Sequence, residues 1–575
     1  MKRITLLAIT FLCLGCSPGW RKIPGIPPDP ENQGADWYGD YSRRLIWLDQ
    51  GWSAEQSAWF YKTSQGSRLL PYAFFMALEQ ARSTQLFRDS RNIKKFRYLP
   101  ASNGLPLGFV VDVGSEPIKG LVSDRRWIGM TCAACHTAQI NFRGTAMRID
   151  GGPALTDVQG FTLALTESLE ETLRDPKKFD RFSVRVLGSS ANSEAKAGLR
   201  EALWDTSRER RAYEKANHSD VAYGFGRTDA FGRIFNTARM LVDPHSASVP
   251  NAPVSYPHIW DSPRTDLVQW TGNARNAGIG SLGRNVGEAV GVFASIDTTS
   301  RRPPLGYNSS VRIGSLIAIE ERLKELQSPQ WPQAVLGRID QEMAAKGRVL
   351  FKQLCSECHT DLVRDNPLRF FKSKLIPIDG VNGVGTDPLS AENIRTAQGP
   401  TGILKGAREF VVFGPVYGSG QEPAIKLTRD AVLRVIFGKV AFKPIDIATR
   451  QVRLLGQGVD DAIDISKFGF RADEPPKRQY RARPLNGIWA AAPYLHNGSV
   501  PNLYELLLPA KQRSKRFFVG RREFDPVNVG FVDTHIDGAF LFDVTTKGNS
   551  NAGHEYGTGI SDAERMQLLE YLKSI

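Results

Sequence analysis

Thr131-Cys132-Ala133-Ala134-Cys135-His136 and Cys355-Ser356-Glu357-Cys358-His359 repeat one pattern, two thiols separated by two residues and followed at once by an imidazole. That spacing is the attachment motif for c-type haem. The thiols bond to the porphyrin vinyl groups, and the adjoining histidine, held under the ring by the short tether, becomes the fifth iron ligand. A zinc site would need a matching second cysteine pair in the same module, and a redox dithiol would need a βαβ context; neither surrounds these cysteines. The chain is therefore read as carrying two covalent haems, one on Cys132, Cys135 and His136, the other on Cys355, Cys358 and His359. Each stretch of chain must then fold so as to enclose a large flat group.

Of six cysteines, the two outside these motifs, Cys13 and Cys16, lie near the start of the chain, so no pair is left for a disulfide. Met1-Lys2-Arg3, the apolar run Ile4 to Leu14 and then Gly15-Cys16-Ser17-Pro18 give a charged start, a short apolar core and small residues. That is an export signal, too short to span a bilayer. Leu14-Gly15-Cys16 also resembles a bacterial lipobox, with Cys13 where leucine is usual, and this reading lipidates Cys16 and attaches the protein to a membrane. Residues 1–16 are thus read as signal peptide and residues 17–37, rich in Pro and Gly, as a tether that cannot sustain helix or sheet. The location expected is periplasmic or cell-envelope, as an outer-membrane lipoprotein if Cys16 is lipidated. Export agrees with covalent haem attachment, which in bacteria takes place outside the cytoplasmic membrane.

A chain of 575 residues is too long for one hydrophobic core. The domain boundary is expected near Pro329-Pro332, giving an N-terminal haem domain over 38–330 and a C-terminal cytochrome c domain over 331–575. The fold class expected is mainly α, with long loops and a few short strands. The formal charge of +14 suits an acidic partner protein or an anionic surface, but there is no polybasic run and no nucleic-acid motif, so nucleic acid is not implied. Ser53-Ala54-Glu55-Gln56 and Ser561-Asp562-Ala563-Glu564 are capping-box patterns that open helices. Tyr72 to Ala81 and Ser193 to Ala216 have helical character, Gly108 to Val113 reads as a strand, and Ile140 to Gly144 with Met147 to Pro153 reads as a hairpin and turn. Ile339, Met343, Gly347, Leu350 and Leu354 recur at helical spacing and lead into Cys355. The small Ala344 and Gly347 would let this helix approach another closely, and the terminal helix, with Met566, Leu569 and Leu572, is the candidate partner.

Sixth ligands decide the chemistry, because a fully ligated iron passes electrons whereas an open one binds peroxide or oxygen. Between Thr137 and Asn217 there is no histidine, and Met147 sits on an expected strand. The first iron is thus the candidate open site. After His359 there is no methionine before Met566, which the terminal apolar stripe claims. His496, His535 and His554 remain, with Tyr494 behind them.

Ala492-Pro493-Tyr494-Leu495-His496-Asn497-Gly498-Ser499-Val500-Pro501-Asn502-Leu503, together with the two haem motifs, resembles the bacterial di-haem cytochrome c peroxidase and MauG superfamily. The segment Met130 to Ile140 and the closing Gly553-His554-Glu555-Tyr556-Gly557 are similar to its rubber-oxygenase-like branch. The resemblance runs in patches from about Leu48 to the end. Where the peroxidases take a methionine ligand, fourteen positions beyond the motif histidine, this chain has Ala510. The resemblance implies His554 as sixth ligand of the second haem, with His496 as second choice. It also implies that Trp270, in Gln269-Trp270-Thr271-Gly272-Asn273-Ala274, lies between the haems and relays charge, with Trp260 as competing alignment. Glu288, in Arg284-Asn285-Val286-Gly287-Glu288, would be a distal acid over the open haem. A calcium ion between domains, held by carbonyls such as those of Ala491 and Pro493, is a further implication.

The function expected is that of an exported di-haem oxidoreductase. Peroxide would be activated at the first haem, with electrons supplied through the second by a small cytochrome or cupredoxin donor. The alternatives are a rubber-oxygenase-like dioxygenase, cleaving an unsaturated apolar substrate with oxygen, and a non-catalytic electron carrier.

Overall fold

The computed structural model describes residues 40–440 and 471–575, apart from positions 41, 102–103, 122–123, 277–279, 303–305, 361, 365, 367–368, 410–413 and 472–474. The export signal with Cys13 and Cys16, and the tether over 17–37, lie outside the described residues.

Two small sheets grip the first Cys-x-x-Cys-His motif. Phe109–Val113 pairs antiparallel with Arg126–Met130, which runs straight into Thr131. There the backbone is extended and the Thr131 hydroxyl accepts from the Ala133 amide, capping the single turn Cys132–Ala134. Immediately after His136 the chain enters a second sheet. Thr137–Phe142 and Gly144–Asp150 form a hairpin, and Ser42–Trp47 joins it in parallel. Every residue from Thr137 to Asn141 is buried, so protein covers both faces of that strand and the motif has no freedom to swing.

Three helices, Val158–Arg174, Pro176–Leu187 and Ser193–Ala216, lie over the first of these sheets. Each starts at a side chain that accepts from the first turn, Asp157, Asp175 and Asn192. Phe161, Leu165, Phe182 and Leu203 from these helices share a core with Phe74, Phe75 and Phe109. The helical segment that opens at Tyr72 ends at Ala77. Glu79 turns away to meet Arg181 and Arg185 at 2.7 and 2.8 Å, and tertiary pairing prevails over local propensity.

The helix Gly280–Gly291 packs Leu282, Val286 and Ala289 into a core shared with Phe235, Leu316 and Val432. Arg284 and Glu288, four residues apart, consequently share the opposite face.

The second motif is reached along the helix Gln341–Leu354, capped by Asp340. It packs on the C-terminal helix Asp562–Ser574, which opens with the expected Ser561/Glu564 capping box. Gly347 is the contact point: a Cβ there would lie 2.0 Å from the Gln567 carbonyl oxygen. Gly347→Ala is therefore expected to destabilise the protein by about 1–3 kcal/mol, the range for overpacking a tight contact. A denaturant midpoint equal to that of the unaltered protein would show that the two helices can move apart freely. Around residue 330, Trp331 meets the Trp489 ring at 5.3 Å, and both belong to a core that runs from Trp47 and Phe60 to Leu569 and Leu572. Among the described residues the sheets are small, two of three strands and seven of two.

Candidate haem-binding cavities

Each Cys-x-x-Cys-His motif opens onto its own cavity, with about 1570 Å³ of atom-free space beside the first and about 1620 Å³ beside the second. None of the four motif cysteines takes part in a disulfide. Burial pushes the Cys132 thiol up to about 12 and those of Cys135 and Cys355 up to about 11. No group of three or more His, Cys, Asp or Glu able to hold a metal ion occurs among the described residues.

Both motif histidines are oriented by the same device. His136 Nδ1 lies 2.9 Å from the Pro257 carbonyl oxygen, and His359 Nδ1 lies 2.6 Å from that of Arg483. A carbonyl can only accept, so Nδ1 carries the proton in each ring and Nε2 keeps its lone pair for a metal. Burial lowers the His136 pKa to about 4 and lowers that of His359 as well, so both rings are neutral.

His554 faces His359 with ring centroids 6.2 Å apart. This is the spacing of two imidazoles that share one metal ion at about 2 Å from a nitrogen of each. The loop that carries His554 is tightly specified. Gly553 has φ +73°, and a Cβ there would come within 2.2 Å of the Gly385 backbone. His554 itself is left-handed at φ +50°, a conformation that costs a non-glycine residue energy. Its amide donates to Val384 O at 2.7 Å, and Arg513 Nη2 donates to its carbonyl at 3.2 Å. Its Nδ1 is buried without a partner. His496 lines the same cavity but stacks on Tyr480 at 4.0 Å. Tyr494 directs its hydroxyl to the Val529 carbonyl, and exposed His535 packs on Phe518. Ala491 and Pro493 also line this cavity, whereas Met147 is fully buried in the core.

In the first cavity Glu288 accepts from Gln269 Nε2 at 3.0 Å. Burial raises its pKa, and the nearby Arg284 guanidinium opposes that rise. Arg284 is itself bound to buried Glu320, which also accepts from Asn285 at 3.1 Å. Three guanidinium nitrogens on this wall, Arg233 Nη1, Arg284 Nε and Arg481 Nε, are buried without a hydrogen-bond partner. Orphaned cationic donors in a cavity that already presents two thiols and a neutral imidazole suit a flat group with carboxylate tails, and haem c is such a group.

Ser255, Tyr256, Pro257, His258, Trp270, Arg481 and Arg483 line both cavities and form the wall between them. Trp270 Nε1 donates to Ser255 O at 2.9 Å, and the Arg483 guanidinium lies over its ring at 5.3 Å. Trp260 stands behind this wall, stacked on His258 at 4.3 Å with its Nε1 donating to Asn486 O. The arginines of the wall, and Glu320, escape a motif-based reading. The available signal is the alternation Arg481-Ala482-Arg483, which places two cations on one side of an extended segment just before the Pro-Tyr-x-His stretch.

Comparison with known proteins agrees with this class of site. Residues 479–518, which include the two wall arginines and His496, match the family model described as RoxA-like, cytochrome c-like. The match supports membership of the RoxA-like cytochrome family, implies haem c, and suggests a haem-based oxidoreductase or electron-transfer role. The uncharacterized protein y4iJ of Sinorhizobium fredii is 32% identical over 594 aligned residues, covering 93% of this chain and 94% of the relative. The chain belongs to the family of that protein. A second Sinorhizobium fredii relative, the uncharacterized protein y4iM, is 25% identical over 341 residues, covering 55% of this chain and 63% of its own length. Among the described residues no helix is long and apolar enough to cross a membrane.

Proposed function

We propose that the chain is an exported di-haem oxidoreductase in which His136 would hold a reactive haem and His359 with His554 would hold a second haem that supplies it with electrons. Haem iron exchanges electrons and, where an axial position is free, takes up peroxide or oxygen. The observation that carries the reading is the difference between the two cavities. A second imidazole faces His359 at 6.2 Å. The His136 cavity offers a buried carboxylate, Glu288, and its other imidazole, His258, follows the proline that holds His136 and lies flat on Trp260.

Peroxide is the favoured oxidant on this reading. Its reduction to two waters consumes two electrons and two protons. Glu288, kept in place by Gln269, is a group that can hold a proton and pass it between the peroxide oxygens. Trp270, in contact with both cavities, is the side chain that connects them. The donor is a small cytochrome or cupredoxin, and an acidic one suits the net charge of +14. Export and a lipid anchor at Cys16 place the reaction in the periplasm or at the cell envelope.

Oxygen with an unsaturated apolar substrate is the second reading. The match to a RoxA-like segment and the apolar stretch Ile234, Val268, Val292, Phe293, Ile319 and Leu323 of the first cavity favour it. Stopped-flow absorption of the oxidised protein with hydrogen peroxide, without donor, separates the two. A rapid stoichiometric change of the haem bands supports the peroxide reading. No change, in a protein that still binds carbon monoxide when reduced, favours oxygen. Wholly low-spin iron that binds neither sinks both and leaves an electron carrier.

A further inference from the structure

The wall between the cavities contains an unbroken chain of contacts from one motif histidine to the other, and Arg483 is its centre. His136 donates from Nδ1 to the carbonyl of Pro257 at 2.9 Å. The next carbonyl along, that of His258, accepts from Arg483 Nη2 at 2.6 Å. The backbone carbonyl of the same Arg483 accepts from His359 Nδ1 at 2.6 Å. One residue thus holds the second histidine directly through its main chain and the first through its side chain and a single peptide unit.

Both strands of this connection are pinned. Ser255 donates its amide to His496 O at 2.8 Å and accepts from Trp270 Nε1 at 2.9 Å, which fixes the segment leading to Pro257. The Arg481 amide donates to Trp270 O at 2.7 Å, which fixes the segment leading to Arg483. A displacement of either carbonyl acceptor is therefore passed on through Arg483.

We infer that Arg483 is a positioning residue that couples the two axial histidines, so that the hydrogen bond orienting one is set together with the hydrogen bond orienting the other. The hydrogen bond to the far nitrogen of a ligating imidazole governs ring orientation and how much electron density the ring gives its metal. The coupling free energy of such a link is reciprocal: what a change at one histidine does to binding at the other, the reverse change does in equal measure. The inference rests on the di-haem reading and adds to it a structural reason for the two centres to respond as one.

The test uses holoprotein. A haem count of two per chain, from the pyridine haemochromogen spectrum, checks the di-haem reading by itself, and a count of one refutes that reading and the link with it. With two haems present, Arg483→Gln is expected to shift the low-spin electron paramagnetic resonance g-values of the His359 centre. It is also expected to shift the iron–histidine resonance Raman band of the reduced His136 centre. Arg483→Lys, which retains a cationic donor, is expected to recover part of both shifts. A change confined to one centre, or absent from both, overturns the link while leaving the di-haem reading intact. If the glutamine variant does not take up both haems, the unaltered protein decides. Reducing the His359 centre alone is expected to alter the resonance signal of the oxidised His136 centre, and an unaltered signal overturns the inference.

Discussion

His554→Ala is expected to convert the iron on His359 from low-spin to high-spin and to open it to carbon monoxide, through the loss of one axial bond. His496 lies against Tyr480 at 4.0 Å, Tyr494 is committed to backbone carbonyls, and Met566 packs against the main core. Alanine also places a Cβ residue at φ +50° without the polar side chain that makes this conformation easier. His554→Asn supplies the control, because asparagine tolerates left-handed backbone and is a poor ligand for haem iron. Both variants are expected to be high-spin, as read by absorption and electron paramagnetic resonance. Retention of the low-spin signal in both, with its loss in His496→Ala, would transfer the ligand role to His496. His554→Met is expected to restore a sixth ligand and raise the potential, since thioether ligation favours ferrous iron.

Glu288→Gln is expected to lower peroxide turnover by about 10²-fold or more, the lower end of what a positioned acid–base group contributes. Glutamine keeps the size of the side chain and can still accept from Gln269. The variant therefore removes the titratable carboxyl, and with it the charge that faces Arg284, while keeping the shape of the side chain. Haem content, spin state and carbon monoxide binding should be those of the unaltered protein, which separates a proton-transfer role from a packing role. Unchanged turnover would remove Glu288 from the chemistry and strengthen the case for oxygen with an apolar substrate.

The parts of this molecule that could be read in advance are those whose cause is local. Capping boxes at Ser53 and Ser561 form because donor and acceptor lie three residues apart. The hairpin after His136 follows from alternating apolar residues around a Gly turn. Gly347 could be singled out because a small residue on an apolar helical stripe marks a close approach. The contacts across the wall between the cavities have no such local cause, although the alternation Arg481-Ala482-Arg483 hints at its cations. Arg483 meets the His258 carbonyl across 225 positions, and His359 meets Arg483 across 124. Each is a main-chain contact that leaves no trace in the identity of its partner. Glu320 is similar: on a helix it reads as an ordinary surface acid, and only the fold turns it inward to Arg284. The parallel addition of Ser42–Trp47 to the hairpin is likewise a long-range pairing, whose register is fixed by burial rather than by a turn.

The crossing of Gln341–Leu354 with Asp562–Ser574 also divides the enclosure of the second cavity between distant parts of the chain. Cys355 and Cys358 lie at the end of the first of these helices, while Leu568 and Leu572 of the other, and His554 just ahead of it, line the cavity from the far end of the chain. A group attached at Cys355 and Cys358 would thus be roofed by residues far along the chain, and the second cavity closes only where these two helices meet.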